Sequence, residues 1–180
     1  MTANFTDWLA ITETKARYCR LMDTKDWAGW ADVFTEDFVM DGSDCGGKIT
    51  SGRDAVVAYV RSCIEDAKTV HQVHNPEMVF DADGQGADVI WALNDRVKMA
   101  PDRGLTGHPG HIGYGHYRER YVKCGDGVWR IKRQALTYLH MDVALLHNKI
   151  MDSHEESVGI DGLDAQTDAS EVSHDQLAGV

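Results

Sequence analysis

Residues 69–81 read TVHQVHNPEMVFD, and the change of pattern that begins there decides the fold. Before this stretch, apolar residues recur at helical spacing. From Thr69 onward they alternate with polar ones, as in a strand with one face on a core. Alternation sends His71 and Val73 to one face and Gln72 and His74 to the other. Pro76 has no N–H to give to a ladder, so the strand should lie at a sheet edge or bend at Asn75-Pro76. Three more strands are expected downstream, over residues 87–99, 112–123 and 128–141. The turn Asp83-Gly84-Gln85-Gly86, a Gly- and Pro-rich loop over 100–110 and the tight hairpin turn Gly125-Asp126-Gly127 separate them.

Upstream of Thr69 the chain reads as helices. Residues 6–24 place Trp8, Ile11, Tyr18 and Met22 on one face, with Thr6 or Asp7 as the capping residue. A short second helix carries Trp27, Trp30, Ala31 and Phe34. The run 37–41 looks like a strand, Gly46-Gly47 marks a turn, and Gly52-Arg53-Asp54 opens a third helix whose buried stripe is Val56, Val57, Val60 and Ile64. Helices first and strands afterwards point to an α+β fold with an antiparallel sheet. One domain over 1–154 is expected. Residues 155–180 differ in composition, with seven acidic residues and no Lys or Arg. They read as a weakly ordered acidic tail, or a tail that packs on a pocket or a neighbouring subunit.

The 180 residues are 43% hydrophobic and 26% charged, ordinary for a globular protein, with a formal net charge of −11. Such a charge disfavours nucleic acid, whose phosphates need clustered Lys and Arg, and an anionic membrane surface. No apolar run approaches the roughly 20 residues of a membrane helix, and the N-terminus lacks the pattern of a signal peptide. Cys19, Cys45, Cys63 and Cys124 form no Cys-x-x-Cys pair, which suggests reduced thiols in a cytoplasmic protein.

Chemistry could sit at three places. Tyr18 and Asp23, five residues apart near the end of the first helix, diverge by roughly 140° around its axis. They can share a pocket only if the helix ends near Asp23. His71 is a strand imidazole, the side chain best suited to proton transfer near neutral pH. An aspartate on its far nitrogen would fix its tautomer and stabilise the imidazolium. His108, His111 and His116 cluster in a loop and the strand after it, but lack a third ligand at diagnostic spacing; no metal is expected, and a binding loop at a pocket mouth fits better. Of the aromatic residues Trp27, Trp30, Phe34, Trp91, Tyr114, Tyr117 and Tyr138, most read as plain core and some as the lining of an apolar cavity. Trp30, Trp91 and Tyr138 are candidate substrate contacts, together with Asp95 and His116.

Taken in order, residues 16–23 (ARYCRLMD), Trp27, Phe34, residues 51–56 (SGRDAV), residues 70–77 (VHQVHNPE), Tyr121 and residues 127–131 (GVWRI) resemble the SnoaL-like branch of the nuclear transport factor 2-like superfamily. The resemblance covers about residues 11–141. It implies a cone, a bent antiparallel sheet wrapped around three helices with a pocket inside. Within the branch the sequence is similar to bile acid dehydratase, scytalone dehydratase and hexachlorocyclohexane dehydrochlorinase. There an Asp ending helix one orients a strand His that removes a proton, and Asp23 and His71 match that pair. Tyr18 matches a further acting Tyr of the bile acid enzyme, and Asp95, after Trp91, matches a further site Asp. A site Arg on that enzyme's last strand is replaced near Tyr138, so its substrate is not carried over. The resemblance implies a cofactor-free lyase or isomerase. His71 would be the base, Asp23 its support, and Tyr18 the donor to a leaving hydroxyl or an oxyanion. The substrate would be hydroxylated and largely apolar, such as a steroid or an aromatic catabolite; water or a carbon fragment would leave. The alternative is a ligand-binding or assembly module, as in the small subunits of ring-hydroxylating dioxygenases. A homodimer or homotrimer is expected, since such sheets mate through their outer face.

Overall fold

A computed structural model describes residues 5–100 and 110–143. Helix α1 spans Phe5–Asp23, α2 Trp27–Ala31 and α3 Arg53–Ile64. The strands are β1 (Phe34–Asp41), β2 (Ile49–Ser51), β3 (Lys68–Phe80), β4 (Gly86–Lys98), β5 (Gly110–Lys123) and β6 (Trp129–Asp142). They form one curled sheet in the order β2-β1-β6-β5-β4-β3, and the helices fill its hollow. The α+β cone expected from the sequence is the observed architecture. The sheet is mixed rather than purely antiparallel, because β1 runs parallel to β6. Parallel neighbours need a long crossover, and the whole chain from α3 to β5 supplies it.

Alternation builds the interior. On β4, Ala87, Val89, Trp91, Leu93, Asp95 and Val97 point inward and are buried. Asp95 thus occupies a position that parity reserves for the core. On α1, Ile11, Lys15, Tyr18 and Met22 follow 4-3-4 spacing, and all four are buried. Phe34, expected on the second helix, instead begins β1, where it stacks on Phe38 with ring centroids 4.1 Å apart. Asp7 does not cap α1 by its carboxylate. It accepts from Lys123 Nζ and Trp129 Nε1, both at 2.9 Å, and so ties the helix to β5 and β6.

β3 is an edge strand, and its register against β4 slips between His74 and Glu77, where Asn75 adopts φ +49°. Both expectations for Pro76 therefore hold. Above the slip, His71 pairs with Asp95, and Asp95 with Gly113 on β5. This row carries the site. All four cysteines are free. No helix among the described residues is long and apolar enough to cross a membrane. His108 and the acidic tail lie outside the described residues.

Candidate active site

Helix α1 ends at Asp23, the condition its five-residue spacing from Tyr18 imposed. Two residues on, Lys25 takes a positive φ of 62° and turns the chain away. Asp23 then faces the start of β3 and is saturated there. Its Oδ1 accepts from the Thr69 hydroxyl at 2.8 Å and lies 2.6 Å from His71 Nδ1; its Oδ2 accepts the His71 backbone N–H at 2.8 Å. Burial pushes the Asp23 carboxyl up, but the hydrogen bonds and charge of His71 and the Thr69 hydroxyl outweigh it, so the group sits below its ordinary value. An ionised carboxylate only accepts, so Nδ1 carries a hydrogen, and in the neutral form of the imidazole the lone pair lies on Nε2. No described residue hydrogen-bonds that Nε2, and His71 lines a cavity of about 640 Å³.

Beside it lies Asp95, whose Oδ2 is 4.0 Å from His71 Nε2. The Tyr138 hydroxyl donates to this Oδ2 through a short hydrogen bond. Burial raises the Asp95 carboxyl, whereas His111, Tyr138 and His71 together bring it below its ordinary value. Burial and the neighbouring Asp95 charge raise Tyr138, which stays a neutral phenol. Gly113 makes this contact fit. A Cβ there would stand 2.3 Å from Tyr138 Cε1 and 2.4 Å from Asp95 Oδ1. His111, two residues earlier on the same face of β5, brings its Nε2 to 3.5 Å from Asp95 Oδ1.

Below the cavity floor lies a second polar group. Lys15 Nζ is 2.6 Å from Glu119 Oε1, both side chains are fully buried, and the ammonium also sits over the rings of Tyr18 and Tyr117 at 3.8 and 3.6 Å. Glu119 takes two more donors at 2.6 Å, the Tyr121 hydroxyl and Gln134 Nε2. The Gln134 amide is thereby oriented, with its Oε1 turned to Tyr18, whose hydroxyl donates to it at 3.2 Å. Tyr18 lines the cavity, as expected, but its proton is committed to Gln134, and the Tyr117 hydroxyl also donates to its oxygen, leaving it room to accept one further hydrogen bond. Burial, then the Glu119 charge, raises the Tyr18 phenol, so it stays neutral. The arrangement makes it an acceptor for a ligand hydroxyl, where the resemblance implied a donor.

Of the expected site residues, the fold gathers Tyr18, Asp23, His71, Asp95 and Tyr138. Three others fall elsewhere. Trp30 is 1% exposed and packs on Phe34 and Tyr18, with centroids 4.8 and 5.5 Å away. Trp91 points inward on β4 but belongs to the packed core below the cavity. His116 has the opposite parity to Gly113, Gly115 and Tyr117 and lies on the sheet's outer face. Conversely, His111, which the sequence offers only as one of a histidine cluster at a pocket mouth, and Gln134, which it does not mark, both line the cavity. Among the described residues no group of three or more His, Cys, Asp or Glu could hold a metal ion.

A model of the SnoaL-like domain matches residues 3–135. No curated protein matches the chain. Solved structures do. A candidate scytalone dehydratase from Novosphingobium aromaticivorans is 24% identical, with TM-score 0.68, over 79% of this chain and 91% of that one. The Kfla4162 protein from Kribbella flavida is 21% identical, with TM-score 0.68, over 79% and 97%. A hexachlorocyclohexane dehydrochlorinase, LinA type 2, is 14% identical, with TM-score 0.65, over 77% and 92%. At these identities the likeness establishes the fold.

Proposed function

The chain belongs to the SnoaL-like domain family, and from that premise we propose that it is a cofactor-free lyase that removes water from a neutral, hydroxylated, largely apolar small molecule. The observation that carries this reading is the His71–Asp23 pair, with Nδ1 bound at 2.6 Å and Nε2 open to the cavity. Neighbours of the same fold include a candidate scytalone dehydratase and a dehydrochlorinase, which supports elimination chemistry.

In this reading His71 Nε2 takes a proton from an acidic C–H of the substrate, and the ionised Asp23 stabilises the imidazolium. The Tyr18 oxygen accepts from the leaving hydroxyl and fixes its orientation. Met22, Met40, Val60, Ile64 and Leu136 give the cavity an apolar wall. No Lys or Arg is among the described lining residues, so a carboxylate or phosphate would enter unpaired, at a desolvation cost that favours neutral substrates.

The test is a mass-spectrometric screen of hydroxylated steroids and hydroxylated diaryl compounds with the native protein and with His71→Gln. Loss of water by the native protein, reduced about 10²-fold or more by the substitution, is the expected result. Equal turnover by a folded His71→Gln variant would remove His71 from the role of base, and a ligand that binds without change would assign a binding module.

A further inference from the structure

A leaving hydroxyl needs one proton to depart as water; Tyr18 offers none, and His71 could only return the proton it has just taken from carbon. The Tyr18 proton is directed at Gln134, and neutral His71 carries its hydrogen on the side of Asp23. His111 is the imidazole that this chemistry leaves unused. The geometry points to His111, in its protonated form, as the proton donor to the leaving oxygen: Asp95 holds its Nε2–H and leaves the Nδ1 proton of the imidazolium for the substrate. This inference rests on the lyase reading.

His111 pairs with Val97 on β4, one inward position beyond Asp95, and lies diagonal to that carboxylate. Its Nε2 is 3.3 Å from the Tyr138 oxygen and 3.5 Å from Asp95 Oδ1, and its ring meets Tyr138 edge-on at 5.6 Å. Asp95 Oδ1 is buried and has no hydrogen bond among the described residues. Such an oxygen is costly to leave unmet, and the His111 Nε2–H is the donor poised to meet it. The Tyr138 hydroxyl gives its own proton to Asp95 Oδ2, so toward His111 it too can only accept. Acceptors therefore surround Nε2, which keeps its hydrogen, and Nδ1 is the nitrogen that no described residue binds. Two His–Asp pairs face one cavity, one bound through Nδ1 and the other through Nε2.

The step balances. The C–H proton passes to His71 Nε2, and the C–H electron pair becomes the new C=C π bond. The C–O bond breaks with its pair on oxygen, and the Nδ1 proton of cationic His111 turns that oxygen into water. His71 ends cationic and His111 neutral; exchange with solvent, which reaches the 21%-exposed His111 side chain, restores both.

Two measurements test this. The first compares an aryl β-hydroxy ketone with its β-acetoxy counterpart, whose leaving group departs as acetate without added protonation. His111→Gln should slow the hydroxy substrate by about 10²-fold, the scale of a lost general acid, and leave the acetoxy substrate within a few-fold of native. His71→Gln should slow both. Equal loss on both substrates, or on neither, in the His111 variant overturns the assignment. Turnover of neither probe by the native protein would instead fail the lyase reading itself. The second needs no substrate or variant: ¹⁵N NMR of the native protein at alkaline pH should place the hydrogen of His71 on Nδ1 and that of His111 on Nε2. An Nδ1–H tautomer at His111 also overturns the inference.

Discussion

Two of the ion pairs that helix α1 makes with the sheet, Lys15–Glu119 and Asp23–His71, differ in what they leave unspent. Lys15 and Glu119 are sealed from solvent, and the three N–H donors of the ammonium have a carboxylate oxygen and two aromatic faces to meet. Asp23 is equally well supplied, with three donors, but its partner His71 keeps a nitrogen toward an open cavity. Burial of charge is common to both pairs and so does not mark the site. The open valence does. The first pair holds the floor, orienting Gln134 and through it Tyr18; the second can move a proton. Several substitutions probe that division.

The largest effect on stability should come from Lys15→Met. Removing one partner of a buried pair leaves the other charge unmet, at about 3–5 kcal/mol. Adding Glu119→Gln removes the stranded charge, keeps a carbonyl acceptor for Gln134 Nε2 and sets an amide N–H toward the Tyr121 hydroxyl, which can turn to accept it, and should recover most of the loss in urea unfolding. Should Lys15→Met unfold at the native midpoint yet lose turnover, the floor pair would be a catalytic group and the division drawn above would be wrong.

Gly113→Ala should cost less, about 1–3 kcal/mol as an overpacked core position. The added Cβ must displace Tyr138 or Asp95, since it would fall 2.3 and 2.4 Å from their atoms. The same variant should disturb the ¹⁵N signals of His111 and leave Nδ1 of His71 protonated by its contact with Asp23. If His71 shifts as much as His111, the two His–Asp pairs are one coupled unit rather than two stations.

Much of this was legible in the sequence, by parity more than by composition. The helical spacing of Ile11, Tyr18 and Met22 passes through position 15, so a lysine at the centre of an apolar stripe announced a buried pair, and Glu119 sits between Tyr117 and Tyr121 on the inward parity of β5. Neither stands out in the sequence by itself, because each charge is unexceptional without its partner. Carried along β5, the same parity brings in His111 and sends His116 out. Sequence proximity alone groups His116 with His108 and His111 across the loop and the strand after it, and does not separate the two faces of that strand. Beyond parity, depth along the cone is not written in local sequence. Trp30 and Trp91 point inward as expected, yet both lie below the cavity. The row His71–Asp95–Gly113 depends on a register set by the turn after Phe80 and by the slip at Asn75-Pro76, and a slip of that kind shows in sequence only as a proline.

The smallest predicted change separates charge from shape at the second pair. The Asp23 carboxyl lies below its ordinary value in the folded chain, whereas in the unfolded chain it titrates near 3.9. The folded state therefore binds fewer protons than the unfolded state over that interval. Asp23 contributes its full share of stability above about pH 4–5 and loses it as the pH falls through the folded value. Asn in its place still accepts but never carries charge, so Asp23→Asn should lower the unfolding free energy near neutral pH by about 1 kcal/mol, the scale of a weakened hydrogen bond. The gap should close toward zero as acid protonates the native carboxyl, because the two side chains are then alike in charge. Asp95, also held low, titrates in both proteins and cancels from the difference. A gap constant from neutral to acid pH would mean that the shape of the carboxyl group, rather than its charge, holds the imidazole. His71 would then have no anion behind it when it takes a proton, and the second pair would be as purely structural as the first.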